Sequence, residues 1–179
     1  MMRCSDLWRE DNFNEFLRLQ KDDDFVIVTY DEKSGGVSAV HKSHRLDKKQ
    51  GPGGEKRGNY ELRAVDSLRR DGHSIILLKE SGEVGVKQYD GLLDGIPCEI
   101  KAVEMMGRWT IRTKIANAIR QGAINVVLYF PDASLFSEQR VEDGWKECIS
   151  YAKPNELIPD IQLLCVVDGS IHKIEKPSW

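Results

Sequence analysis

The fold of this chain is predicted outward from residues 89–101, whose sequence is YDGLLDGIPCEIK. Within this stretch, Asp94 and Gly95 form a dipeptide typical of two-residue hairpin turns, because such turns need positive φ angles that glycine adopts at little cost. Apolar residues lie on both sides of the dipeptide. The stretch is therefore predicted to form a β-hairpin.

Side chains on the second strand of this hairpin alternate between the two faces of the sheet. We therefore expect Glu99 and Lys101 on one face and Ile100 on the other. Asp90 lies near the far end of the first strand, where strand pairing would bring it beside Glu99. Carboxylate oxygens are the ligands that Mg²⁺ prefers, and a nearby ammonium can orient an attacking water or offset charge on a phosphate. The hairpin thus predicts a metal-dependent site.

Further elements are predicted on both sides of the hairpin. Upstream we predict a helix at 5–20, strands at 25–30 and 37–41, a helix at 58–70, a strand at 73–78 and a turn at 80–83. Downstream we predict a helix at 108–121, a strand at 124–130, a helix at 134–152 and a hairpin at 161–174. This order indicates an α/β (α+β) fold, with a mixed sheet flanked by helices. We divide the chain into an N-terminal helix, hairpin and basic loop at 1–57 and a core domain at 58–179.

Glu61 lies on the apolar face of the predicted helix 58–70, since Ala64, Val65 and Leu68 follow it at i+3, i+4 and i+7. A carboxylate on a core-facing stripe is costly to bury unless a cation or metal meets it. The alternative is an ordinary solvated helix residue. Asp90 could likewise be a plain turn residue next to a glycine.

Asp90, followed after eight residues by Glu99 and then by Lys101, resembles the signature of the PD-(D/E)XK nuclease superfamily. Tyr89 stands where that signature usually has proline. The superfamily also carries a glutamate on an upstream helix, a position that Glu61 matches here. The resemblance covers roughly residues 58–130 and implies a restriction-endonuclease-like core within 58–179.

A longer stretch, roughly residues 25–130, is similar to the C-terminal tRNase toxin domain of bacterial contact-dependent growth inhibition (CdiA-type) proteins. That family cleaves transfer RNA with a divalent metal ion. The likeness rests on several elements in the same order, which are the strand from Phe25, Gly35-Gly36-Val37, His41, His44, Glu61, Asp90, Glu99-Ile100-Lys101 and the helix with Ile115, Ala118 and Gln121.

The two resemblances imply a role for each candidate residue. Asp90 and Glu99 would hold Mg²⁺ or Mn²⁺, with Glu61 helping directly or through water. Lys101 would position or deprotonate the attacking water, and Gln121 would contact the phosphate or hold Lys101. The implied substrate is RNA, in particular tRNA, with DNA as the alternative. An immunity protein is a further partner that the toxin resemblance suggests.

Residues 42–58 are basic and glycine-rich, which predicts a mobile loop that is either a solvated connector or a contact for phosphates. For His41 and His44 we favour a structural place in this region over acid–base chemistry. Trp109 and Tyr129 could stack on bases, but we favour packing in the core.

The composition is that of a soluble globular protein, with 179 residues, 40% hydrophobic content and 31% charged residues. The net charge of −3 gives no global attraction to nucleic acid, although a local basic patch can still hold a phosphate backbone. No apolar run is long enough to span a membrane, and the N-terminus lacks a secretory segment. We expect a cytoplasmic location, or delivery as a toxin. Cys98, Cys148 and Cys165 are expected as buried free thiols.

Other hypotheses stay open at this point. The chain could be a catalytically inactive member of the same fold that binds nucleic acid or a protein, or it could be a DNA endonuclease. A purely structural α/β protein would make Glu61, Asp90, Glu99 and Lys101 a coincidence. Geometry separates these hypotheses. The enzyme hypothesis needs the carboxylates of Glu61, Asp90 and Glu99 to lie within one metal shell, on the order of 5 Å or less between oxygens across a common ion, and it fails if Asp90 points away from Glu99.

Overall fold

A computed structural model describes residues 4–80, 88–151 and 160–177 of the chain. The helices are α1 (Cys4–Gln20), α2 (Arg57–Arg70), α3 (Thr110–Arg120) and α4 (Glu138–Ser150), with a 3-10 turn at Ala133–Leu135. The strands are β1 (Phe25–Tyr30), β2 (Val37–His41), β3 (Ser74–Leu77), β4 (Gly91–Leu93), β5 (Ile96–Ala102), β6 (Asn125–Phe130), β7 (Gln162–Val167) and β8 (Ser170–Ile174). These elements follow the predicted order.

The strands form a single mixed sheet in the order β1-β2-β3-β4-β5-β6-β7-β8. The pairs β2–β3, β5–β6 and β6–β7 are parallel, whereas the remaining neighbours are antiparallel. Each parallel pair is joined by a connection that contains a helix, as parallel strands require. The predicted mixed sheet flanked by helices is confirmed.

The apolar core lies on both faces of the sheet because strand residues alternate in direction. On β6, Val126 and Leu128 face the core under α3 and α4, where Trp145 is 2% exposed. Val127 and Tyr129 face the opposite core under α2. Burial of each such large side chain contributes roughly 1.5–3 kcal/mol to stability. The sheet centre is therefore a rigid support for residues at its edges.

The decisive hairpin forms as predicted. Asp94 and Gly95 have φ angles of 52° and 77°, which are the positive values of a type I′ turn. The carboxylate of Asp94 accepts a hydrogen bond from the Ser74 backbone N–H at 2.9 Å and pairs with His73 at 2.7 Å. These contacts fix the turn against β3 and set the register of the hairpin, in which Gly91 lies opposite Cys98.

The N-terminal hairpin of β1 and β2 extends the same sheet, because β2 pairs in parallel with β3. Helix α1 packs on this part, with Leu19 completely buried against Val37, Ala39 and Ile76. The two parts of the chain thus share one sheet and a continuous set of backbone hydrogen bonds. The division at residue 57 into an extension and a core domain stays a prediction.

Two predicted segments differ in detail from the structure. The helix predicted at 134–152 starts only at Glu138, because Asp132 caps a separate 3-10 turn and Phe136 is extended at φ −79° and ψ 133°. The loop before α2 has no regular structure, but it closes on itself through a bridge between Gln50 and Lys56. Part of the turn predicted at 80–83 lies outside the described residues.

Cys98, Cys148 and Cys165 are buried, and Cys98 and Cys165 carry free thiols, as predicted. In the described residues, no helix has the length and apolar character needed to cross a membrane.

Candidate active site

Strands β4 and β5 separate at the end of their ladder, and two carboxylates fill the gap between them. The last paired residues are Gly91 and Cys98. Beyond them, Asp90 accepts a hydrogen bond from the Ile100 backbone N–H at 2.8 Å through its Oδ2 atom. Glu99 accepts one from the Asp90 backbone N–H at 3.0 Å through its Oε2 atom. The hairpin therefore brings Asp90 beside Glu99, as its register predicts.

A close backbone approach holds Asp90 in this position. A Cβ atom added to Gly91 would lie 2.3 Å from the backbone oxygen of Ile76 on β3. Only glycine allows β4 to lie this close to β3, so a larger residue would displace the strand. The residue that precedes this glycine is Asp90, and its location therefore depends on the absence of a side chain at position 91.

Glu99 is completely buried and contacts the ammonium group of Lys101, which follows it on the same side of β5. Burial raises the pKa of Glu99, and the charge of Lys101 and its hydrogen bond oppose that rise. Lys101 itself keeps 24% of its side chain exposed and reaches the cleft described below. One lysine thus connects a buried carboxylate to the open part of the site.

Asp90 lies in an environment with an excess of negative charge. Burial, together with the charges of Glu99 and Glu61, raises the pKa of Asp90 to about 8. The Ile100 N–H and the charge of Lys101 only partly oppose this effect. A carboxyl group whose pKa rises for these reasons gains stability from a proton or from a cation placed beside it.

Glu61 and His44 form a second pair in the site. The His44 Nε2 atom lies 2.8 Å from Glu61 Oε1, and its Nδ1 atom lies 2.8 Å from the backbone oxygen of Leu78. Both partners are acceptors, so the ring donates from both nitrogens and carries a positive charge. Burial acts to lower the pKa of His44, but the hydrogen bonds and the charge of Glu61 outweigh it and raise the pKa to about 9.

The structure places the two histidines of this region differently. His41 accepts a hydrogen bond from the Ser43 backbone N–H at 3.0 Å and contacts the Phe25 ring, which is a structural role. His44 contacts the candidate carboxylate Glu61, so it belongs to the site. The available signal was the spacing of the two histidines just upstream of the helix that carries Glu61.

These side chains border a cleft of about 400 Å³. Acidic and basic residues both line it, and they are Glu61, Asp90, Glu104, Asp47 and Glu80 with Arg45, Arg57, Lys101 and Lys114. Tyr60 and Tyr129 form an aromatic wall and stack on each other with ring centroids 5.9 Å apart. Tyr129 is 8% exposed, which confirms its predicted place in the core.

Lys114 is a cleft residue that the sequence did not single out, whereas Arg57 belongs to the basic loop 42–58, for which contact with phosphates was one of the two predicted roles. Burial lowers the pKa of Lys114, and the positive charges of Lys101 and Arg57 lower it further. The negative charge of Glu104 opposes this decrease. The Arg57 Nε atom donates to Glu104 Oε1 at 2.9 Å. Arg57 and Lys114 therefore line the same cleft as Lys101, among the carboxylates of that cleft.

Gln121 occupies the C-cap of α3 and lies away from the other candidates. Its side-chain amide is 3.5 Å from the backbone oxygen of Gln88, and it is absent from the described residues that line the cleft. It contacts the segment that leads into Asp90. Its predicted role towards a phosphate or Lys101 stays a prediction.

The predicted metal ligands are only partly assembled. Within 4–80, 88–151 and 160–177, no three or more His, Cys, Asp or Glu side chains are grouped so as to hold a metal ion. Glu61 is paired with His44, and Glu99 with Lys101. The donor chemistry nevertheless fits Mg²⁺ or Mn²⁺, because every candidate ligand is a carboxylate and Asp90 has an excess of negative charge around it. The metal site stays a prediction.

Comparison with known proteins gives limited similarity. No family model matches the chain, and no curated protein matches it. Among solved structures, the chain is similar to a CdiA-CT/CdiI toxin and immunity complex from Burkholderia pseudomallei, with 20% identity and a TM-score of 0.46. The match covers 77% of this chain and 98% of that chain. The matched structure is a toxin and immunity complex of the kind that the sequence resembles. Because the identity and the TM-score are low, the match carries no argument about function.

Proposed function

We propose that the chain is a divalent-metal-dependent nuclease of the PD-(D/E)XK type that hydrolyses phosphodiester bonds in RNA. The observation that carries this proposal is the arrangement of Asp90, Glu99 and Lys101 at the point where β4 and β5 separate. Two carboxylates lie side by side there, and a lysine extends from one of them into an open cleft. Carboxylates with an adjacent ammonium are suited to hold a hard metal ion and to act on a phosphate.

In this proposal Asp90 and Glu99 hold Mg²⁺ or Mn²⁺, and Glu61 supports them from α2 across the cleft. When bound, the metal supplies Lewis-acid stabilisation of charge on the scissile phosphate. The ammonium of Lys101 orients the attacking water, and its contact with Glu99 limits the directions in which it can point. The aromatic wall of Tyr60 and Tyr129 shields one side of the cleft from water.

The substrate class follows from the cations of the cleft together with the resemblance of the sequence. Arg45, Arg57 and Lys114 line the cleft beside Lys101, and cations at such positions contact phosphates. We propose RNA, and tRNA in particular, because the sequence resembles tRNase toxin domains. For a toxin of this kind we also propose an immunity protein that binds the chain and blocks its activity.

A second candidate function is an inactive nucleic-acid or protein binding module of the same fold. The observation that favours it is that Glu61 and Glu99 already have cationic partners in His44 and Lys101. In such a module these pairs would be permanent and no metal would be needed. The two candidates differ in whether cleavage occurs at all.

The test is incubation of purified protein with total tRNA and with plasmid DNA, in Mg²⁺ and in EDTA. The wild type, Lys101→Ala and Lys173→Ala are compared, because Lys173 is an exposed lysine on β8 at 58% side-chain exposure. The proposal predicts Mg²⁺-dependent loss of tRNA that Lys101→Ala abolishes and Lys173→Ala leaves unchanged. Loss of DNA instead would move the function to a DNA endonuclease. No cleavage of either substrate by folded protein would favour the inactive module.

A further inference from the structure

A cluster of two arginines and two aromatic rings lies at the start of α3, outside the cleft. The guanidinium carbons of Arg108 and Arg112 are 4.4 Å and 4.6 Å from the centre of the Trp109 ring. Arg112 also lies 4.9 Å from the centre of the Tyr151 ring, and the two aromatic rings meet edge to face at 6.2 Å. Three cation–π contacts thus hold two planar guanidinium groups in fixed positions.

The arginines of this cluster lack an acidic partner, in contrast to several other arginines of the described residues. Arg57 is paired with Glu104 at 2.9 Å, and Arg63 with Glu55 at 2.7 Å. In the part of the chain that the structure describes, Arg108 and Arg112 have no ion pair and no hydrogen bond from their side chains. Their N–H groups are therefore available to an anion, and little side-chain entropy remains to be lost when one binds.

The cluster is connected directly to the cleft. The segment from β5 to α3 begins with Glu104 in the cleft wall and ends with Arg108 and Trp109. Arg108 is four positions after Glu104, so their Cα atoms are at most about 15 Å apart.

The neighbouring pocket limits which face of the cluster can take an anion. This pocket of about 370 Å³ is lined by Arg108 and Arg140 but also by Asp143 and Glu147, so its charges balance. Arg112 and Tyr151 are not among the described residues that line this pocket, and Tyr151 is 67% exposed. An anion is therefore favoured on the Arg112 side of the Trp109 ring.

We propose that Arg108, Trp109, Arg112 and Tyr151 form a second nucleic-acid contact that holds a single-stranded part of the substrate outside the cleft. The guanidinium groups bind a backbone phosphate, and the exposed Tyr151 ring stacks on a base. The combination of unpaired guanidiniums with an exposed aromatic ring favours nucleic acid over an acidic protein, which would need only the charges. The inference rests on the proposed function for its substrate, and it can be tested without cleavage.

The experiment is a binding titration with a fluorescein-labelled single-stranded RNA in EDTA, monitored by fluorescence anisotropy at several salt concentrations. All proteins carry Lys101→Ala so that no cleavage can occur. Three changes are added. The first is Arg108→Gln with Arg112→Gln, which keeps a planar polar end on each side chain but removes both charges. The others are Tyr151→Ala and the control Arg120→Ala. Arg120 is an exposed arginine on the same helix, also without an ion pair in the described residues.

The double glutamine variant is expected to bind about tenfold more weakly and to show a shallower dependence of log K on log salt, because phosphate contacts release counterions. Tyr151→Ala is expected to weaken binding severalfold without changing that slope, since stacking is not ionic. Arg120→Ala should bind like the parent. Equal affinity of the double variant and the control, or no RNA binding by the parent, would overturn the inference. If the wild type fails to cleave RNA in the Mg²⁺ assay described above, but the double glutamine variant shows the expected loss of binding, only the proposed nuclease activity would be overturned.

Discussion

The Nε2 atom of His44 lies 2.8 Å from Glu61 Oε1, and this contact joins the irregular loop after β2 to helix α2. The histidine side chain is 1% exposed, and its other nitrogen donates to the Leu78 backbone, next to the end of β3. Three parts of the chain therefore meet at one imidazole ring. The ring fixes the position of the Glu61 carboxylate on the cleft wall.

Replacement of His44 by glutamine is expected to lower the free energy of unfolding by about 1–3 kcal/mol, because a buried charge-assisted hydrogen bond is lost. The measurement is urea unfolding at pH 7. His41→Gln is the matched control, since His41 is half-buried and makes only a local turn contact, and its cost should stay below about 1 kcal/mol. Equal losses for the two variants would show that the contact with Glu61 adds nothing.

Stability should fall as the pH rises from 6 to 9 when the protein is kept in EDTA. The folded state keeps the proton of Asp90 up to about pH 8, whereas the unfolded chain releases it near the ordinary value of 3.8. The folded protein thus binds more protons between these values, and the free energy of unfolding decreases with pH there. His44 also stabilises the folded state, because its pKa there is raised from 6.5 to about 9. This stabilisation is fully present below pH 6.5 and is lost as the pH rises through about 9.

The variant Asp90→Asn tests this pH dependence, because an amide cannot ionise. Urea unfolding at pH 6 and pH 9 should show a smaller loss of stability for Asp90→Asn than for the wild type. Asp11→Asn, at an exposed position on α1, should behave like the wild type. An identical loss in all three proteins would mean that Asp90 is ionised throughout this range.

Replacement of Gly91 by alanine should destabilise the sheet and displace Asp90. The new Cβ would lie 2.3 Å from the Ile76 backbone oxygen, which no side-chain rotation can relieve. We expect a loss of about 2 kcal/mol or more in urea unfolding, together with loss of any nuclease activity. Gly53→Ala is the control, because no atom lies within 4 Å of its added Cβ. A Gly91→Ala variant as stable as that control would contradict the close approach of β4 and β3.

The hairpin and its register were predictable because both depend on local chemistry. Asp94 and Gly95 define a two-residue turn, and a period of two then places Asp90 beside Glu99. Strand β6 likewise follows from its own residues, because a continuous apolar run predicts a strand that is buried on both faces. Such features need no knowledge of distant contacts.

The place of His44 was not predictable in the same way. It belongs to an irregular loop, whose path is set by contacts with α2 and with the end of β3 rather than by a local pattern. Lys114 reaches the cleft only because α3 packs beside β5. Trp109, which we expected in the core, is instead contacted by Arg108 and Arg112 and is not among the buried core residues. These placements depend on tertiary structure.

The proposed nuclease activity requires that Asp90 takes part in binding a divalent metal ion. Isothermal titration calorimetry with Mn²⁺ and with Mg²⁺ at pH 7 measures this binding directly on the wild type, Asp90→Asn and the exposed control Asp11→Asn. We predict that the metal ion binds saturably to the wild type and to the Asp11→Asn control. Its affinity for Asp90→Asn should be more than about tenfold lower than for the wild type. Equal binding by all three proteins, or no binding by the wild type, would contradict this prediction.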